Sequence, residues 1–179
     1  MNAVHLGIHH LHASTITRQL VSHGRHGNWA DCICIKSKSG CRAIGSATAF
    51  FVSNDQADNS NSLVNYKEDR SLHGIDVAVT TIDNFVMEKN ISRLNFIKID
   101  VEGAEFDTLQ GAAETLKNLK PVCIVAIHPQ PIAAKGDKLE DIYDFIVNCN
   151  YRITLDKKDF SKAALLLNTE LKDLHIYPN

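Results

Sequence analysis

The chain has 179 residues, is 44% hydrophobic and 22% charged, and carries a net charge of −2. It is long enough for one domain with a buried core and too nearly neutral for charge alone to draw in a nucleic acid or an anionic membrane surface. No apolar run approaches the ~20 residues of a membrane span, and five irregularly spaced cysteines define neither a disulfide framework nor a four-cysteine zinc site, so reduced thiols in a cytoplasmic protein are the simplest reading.

Residues 1–30 form an N-terminal segment without a clear pattern. Met1 to Leu11 has histidines where a signal peptide would have a basic region and a long apolar core. His5 and His9 would share a helical face, a spacing that can bind metal, but no acidic or cysteine partner lies at matching spacing, and a loosely docked terminus is the commoner case. Ser14 suits the cap of a short helix through Val21, ended by His23-Gly24. A domain then runs over 31–179. Asp31 to Ile35 and Ala47 to Val52 read as strands, and Ser53 to Ser62 as a polar loop that is either a substrate lid or ordinary surface. Asp76 to Thr80 alternates as a strand does, and Thr81 suits the N-cap of a helix over Ile82 to Lys89.

Phe96-Ile97-Lys98-Ile99-Asp100 is a short strand suited to the middle of a sheet, and it ends in an acid. Gly103 permits a sharp turn. From Ala104 the spacing of Phe106, Leu109, Ala113 and Leu116 predicts one helix, stopped by Lys120-Pro121. A second buried strand, Val122 to Ile127, leads to His128. Pro129 and Pro131 predict an exposed turn, Asp137 to Cys149 a helix with Leu139, Ile142, Phe145 and Ile146 on one face, Tyr151 to Leu155 and Ala163 to Leu167 two last strands, and Leu174 to Tyr177 an edge segment. The resulting order fits the second half of a doubly wound α/β sheet. Ligands in such sheets bind outside the carboxyl ends of the strands, where Asp100, Glu102, Glu105 and His128 all fall.

The stretch Phe96-Ile97-Lys98-Ile99-Asp100-Val101-Glu102-Gly103-Ala104-Glu105, with Leu109-Gln110-Gly111-Ala112 after it, resembles the signature of the FkbM-type methyltransferase family. Val79-Thr80-Thr81-Ile82-Asp83-Asn84-Phe85 upstream and Lys120-Pro121 downstream are similar too, and the resemblance covers about Cys41 to Tyr151. It implies a Rossmann-like sheet, S-adenosylmethionine as cofactor and O-methylation of a small hydroxylated acceptor such as a sugar or secondary metabolite. It also implies a C-terminal antiparallel hairpin, expected over Tyr151 to Leu167, and an adenine-side contact at Ala43 and Ile44, for which plain core packing is the alternative. The family's glycine-rich first turn, of the form D-V-G-A-x-x-G, has no counterpart here, nor has the acid that ends its second strand. The expectation is therefore a sheet truncated at its N-terminal half. Its cofactor site would be complete within the chain, or completed by a homodimer or a complementing chain. The alternative is a non-catalytic binding subunit.

Methyl transfer from a sulfonium is an in-line displacement, so the site must align acceptor and methyl and remove the acceptor's proton. Asp100 is the central candidate: it can orient the acceptor hydroxyl, act as general base, contact the cofactor or help hold a divalent cation such as magnesium. Glu102 is a candidate assistant or metal ligand. Glu105 is a third oxygen donor, or simply a first-turn acid that complements its helix. His128 is a candidate base near neutral pH.

Overall fold

The computed structural model describes residues 79–179 in full and, before them, the backbone of six strands: β1 (Ala3–Gly7), β2 (Leu20–His23), β3 (Asn28–Asp31), β4 (Ile33–Cys34), β5 (Ser46–Ser53) and β6 (Leu72–Thr80). Then follow α1 (Ile82–Glu88), β7 (Phe96–Asp100), α2 (Glu105–Gln110), α3 (Ala113–Leu119), β8 (Val122–Ile127), α4 (Pro129–Lys135), α5 (Leu139–Asn148), β9 (Tyr151–Leu155), β10 (Lys158–Asp159), α6 (Lys162–Leu166) and β11 (Lys172–Pro178). The main sheet has the order β1-β7-β8-β11-β9-β10. β1, β7 and β8 are parallel, and β11 runs antiparallel between β8 and β9.

This differs from the sequence reading in several places. Residues 1–30, read as a segment without a clear pattern, supply β1, which pairs with β7, Ala3 opposite Phe96 and Gly7 opposite Asp100. Residues 31–35 are not one strand of the main sheet: Asp31 ends β3, which pairs with β2, while β4 joins β5 and β6 in a separate three-stranded sheet. Leu20–His23 is likewise a strand and not the end of a helix, because the antiparallel partner β3 completes its backbone hydrogen bonds.

The central strand alternates. Ile97 and Ile99 are completely buried, whereas Phe96, Lys98 and Asp100 lie half-buried on the opposite face. The expected helix after Gly103 is two helices, broken at Gly111-Ala112. Ala112, at the N-cap position of α3, has no side-chain acceptor, and Asp83 of α1 takes that role. Its Oδ2 accepts from the Glu114 N–H at 3.0 Å, and its Oδ1 from the Thr115 N–H at 2.7 Å and the Thr115 hydroxyl at 2.6 Å. A carboxylate on the free N–H groups of a helix start combines hydrogen bonding with a favourable interaction with the helix dipole. Asp83→Ala should therefore destabilise the fold by about 2 kcal/mol. Urea unfolding checks this, and a loss below ~0.5 kcal/mol, the scatter of neutral surface changes, would show that the cap does not hold α3.

Pro129 and Pro131 begin a helix instead of an exposed turn, and Pro131 is buried. Both occupy the first turn, where a missing N–H breaks no helical bond, and Gly136 ends α4 at φ +89°. In α5, Ile142 and Ile146 are fully buried, and Phe145 meets Phe106 of α2 edge-to-face at 6.1 Å. The expected hairpin closes earlier than Leu167, through Asp156 and Lys157, both at positive φ, as a two-residue hairpin turn requires. Ala163 to Leu166 is helical, not extended: the Ser161 side chain accepts from the Ala164 N–H, and the alanines and leucines that follow favour a helix. Leu174 to Tyr177 belongs to β11, an interior strand instead of an edge. Cys123 and Cys149 are free thiols in the core, and burial pushes the Cys123 thiol well above its ordinary range. Cys32, Cys34 and Cys41, the N-terminal histidines and the polar loop after Ser53 have side chains outside the described residues. Among the described residues no helix is long and apolar enough to cross a membrane.

Candidate active site

Because β1, β7 and β8 are parallel, their carboxyl ends share one side of the sheet. Gly7 and Asp100 are paired there, and His128 directly follows β8. The turn after Asp100 is tight: Glu102 has φ +48° and Gly103 φ +102°. Left-handed backbone at a residue with a side chain is costly. The turn directs Glu102, Glu105 and Asp100 at a single imidazole. His128 Nδ1 lies 2.7 Å from Glu105 Oε1, and Nε2 lies 3.4 Å from Glu102 Oε1 and 3.7 Å from Asp100 Oδ1.

Glu105 opens α2, and its side chain is completely buried. Its Oε1 also accepts the Gly103 N–H at 3.1 Å, while Oε2 has no hydrogen-bond partner. Asp100 is the most exposed member of the cluster, at 40%. Its other oxygen receives Lys98 Nζ at 3.3 Å, and the same ammonium reaches Asp173 of β11 at 2.9 Å. Charges thus alternate across the sheet from Asp173 through Lys98, Asp100 and His128 to Glu105. Burial works against a charged His128, but the hydrogen bond to Glu105 and the charges of Glu105, Glu102 and Asp100 outweigh it and raise its pKa above the ordinary histidine value. A second brace joins α4 to α2: Lys135 bridges Asp107 and Asp137.

Four sequence-derived candidates, Asp100, Glu102, Glu105 and His128, therefore meet at one point. Glu105 is not a solvated first-turn acid: it is fully buried, and its Oε1 meets the imidazole and the Gly103 N–H. Among the described residues no three His, Cys, Asp or Glu side chains are arranged to hold a metal ion. Ala43 and Ile44 lie outside the described residues. The sequence reading missed Lys98 and Asp173. Lys98 was detectable in principle, because residues two apart on a strand share a face and Lys98 precedes Asp100 by two. Asp173 had no local signal, because β11 reaches this face only through long-range pairing.

A mixed α/β sheet with acids and an imidazole at the carboxyl ends of its parallel strands defines an α/β protein with its polar cluster where such folds place ligands. The family model described as Methyltransferase FkbM domain matches residues 9–153, and the chain belongs to that family. The match ends before β11, the strand that carries Asp173. Neither curated proteins nor solved structures give a match.

Proposed function

We propose that this chain is an S-adenosylmethionine-dependent O-methyltransferase acting on a small hydroxylated acceptor. The observation that carries the reading is His128, whose Nε2 sits between the Glu102 and Asp100 carboxylates at the strand ends of a methyltransferase-family sheet. The cluster suits a cationic cofactor. Among the described residues, Asp100, Glu102 and Glu105 surround His128, and Lys98 pairs with Asp100 and Asp173; carboxylates gathered at the strand ends favour an incoming positive charge. Asp100 and Glu102 would hold its cationic part. When bound, S-adenosylmethionine supplies an electrophilic methyl group on a sulfonium that leaves as a neutral thioether.

The chain's own residues supply orientation and proton removal. Asp100, anchored through Oδ2 by Lys98, has Oδ1 available to accept the acceptor's hydroxyl hydrogen bond. His128 Nε2 takes the proton as the acceptor oxygen forms its bond to carbon. The aliphatic turn residues Val101 and Ala104, both buried, limit water behind the cluster.

The test has two stages. Calorimetric titration with S-adenosylmethionine should show binding, and methyl-labelled cofactor with a panel of sugars and other hydroxylated compounds should yield labelled ether. Asp100→Asn should then lower turnover by ~100-fold or more with an unchanged circular dichroism spectrum. Retained turnover in that variant would remove Asp100 from the mechanism, and a folded chain that binds no cofactor would overturn the reading.

A further inference from the structure

We infer that Glu105 is a positioning residue: its buried carboxylate holds the His128 imidazole with the hydrogen on Nδ1, so that the Nε2 lone pair points toward Asp100 and Glu102 to receive the acceptor's proton. The catalytic half of this statement rests on the methyl-transfer reading, while the tautomer does not.

Three observations carry it. First, Glu105 Oε1 already receives the Gly103 N–H at 3.1 Å. An oxygen that accepts one N–H presents its lone pairs to the neighbouring nitrogen too, so the hydrogen in the 2.7 Å contact with His128 belongs to Nδ1. Which ring nitrogen of a histidine is free is set by the bond the other one makes. Second, Glu105 is fully excluded from solvent, so water does not compete for the bond. Third, the position is a poor one for a carboxylate on grounds of stability alone. Oε2 has no hydrogen-bond partner, and an apolar side chain of similar size would fill a buried site at lower cost. The geometry is also fixed from both sides. Glu105 follows the left-handed turn at Glu102 and Gly103, and the Thr108 hydroxyl donates back to the Ala104 carbonyl at 2.9 Å in the first turn of α2. Among the described residues, the charged groups facing the imidazole are Glu105 from α2 and Asp100 and Glu102 from the end of β7 and its turn.

The tautomer is directly measurable in the full chain labelled with 15N-histidine, by long-range proton–nitrogen NMR at a pH where His128 is neutral. Wild type should show hydrogen on Nδ1. Glu105→Leu should move it to Nε2 and lower kcat by at least ~10-fold with KM nearly unchanged, as expected for a group that acts on the chemical step. Glu105→Gln keeps the shape, and the Gly103 N–H keeps the amide oxygen toward the ring. It should retain the wild-type tautomer and most of kcat, while the acid limb of the pH profile moves to lower pH. Hydrogen on Nε2 in wild type, the same tautomer in Glu105→Leu, or a loss confined to KM would overturn the inference. Should Glu105→Leu fail to fold, an unmoved acid limb in Glu105→Gln would do so. Absence of turnover by wild type on any acceptor would count against the methyl-transfer reading, and the tautomer comparison would still decide the role of Glu105.

Discussion

Gly103→Ala is expected to destabilise the protein by roughly 3–5 kcal/mol, the sum of two effects that usually act separately. The first is local. Gly103 has φ +102°, a backbone region that side-chain-bearing residues rarely adopt and that costs of order 1–3 kcal/mol. The second is steric. A Cβ here would stand 2.7 Å from Pro131 Cβ, 2.9 Å from its carbonyl carbon and 3.0 Å from its oxygen. The obstacle is mostly the backbone of α4's first turn, which has no rotamer by which to retreat, so α4 would have to move. His128 is the residue from which that helix starts, so the displacement would also separate the imidazole from Glu105. Gly136 supplies the control: it has φ +89° but nothing within 4 Å of a new Cβ. Gly136→Ala should therefore cost only the backbone share, about 1 kcal/mol. At about 2–4 °C per kcal/mol for a chain of this size, thermal unfolding separates the two variants clearly. Equal losses would mean that the close approach of Gly103 to Pro131 contributes nothing.

The same turn shows which parts of this protein could be read from its sequence. The run Phe96 to Asp100, Gly103 and the apolar spacing that follows are local signals, and the strand, the turn and α2 are where those signals place them. Thr81 is also correctly read as a cap, its hydroxyl accepting the Asn84 N–H at 3.0 Å, because the capping bond spans three residues. What escaped the reading depends on distant partners. The break between α2 and α3 is invisible when Gly111-Ala112 is considered alone, since the group that caps the second helix is Asp83, some thirty residues upstream. Within the family-like segment Val79 to Phe85, that aspartate therefore has a structural task. Pro129 and Pro131 are equally at home in a turn or in the first turn of a helix, and only the chain beyond them decides. The place of β11 between β8 and β9 follows from sheet pairing that no periodicity encodes. It is this pairing that brings Asp173 to Lys98 and so completes the anchoring of Asp100. The glycine-rich turn expected to precede a methyltransferase sheet has no match by motif, yet Gly7, at the end of β1, lies opposite Asp100.

His128→Gln should lower turnover by ~10²–10⁴-fold, the usual contribution of a positioned general base, and wild type should show activity and stability moving in opposite directions with pH. Burial opposes the charged imidazole, but the Glu105 hydrogen bond and the three carboxylates prevail, so the folded-state pKa lies above the ordinary value of 6.5. The folded protein thus binds the proton more tightly than the unfolded chain. The stability this contributes is fully present below about pH 6.5, the unfolded value, and is lost as pH rises through the raised folded value. A histidine acting as the proposed base would work only when deprotonated, so turnover should rise over the same interval in which that stability is lost. An incoming sulfonium adds positive charge beside the cluster and should favour release of the imidazolium proton, moving the acid limb of kcat below that of kcat/KM for the free enzyme. Urea unfolding of wild type and His128→Gln at a series of pH values would show their stability difference shrinking toward alkaline pH. A difference that grows with pH would contradict the carboxylate cluster as the dominant influence on His128, and an acid limb identical in the free and cofactor-bound enzyme would place the sulfonium away from it.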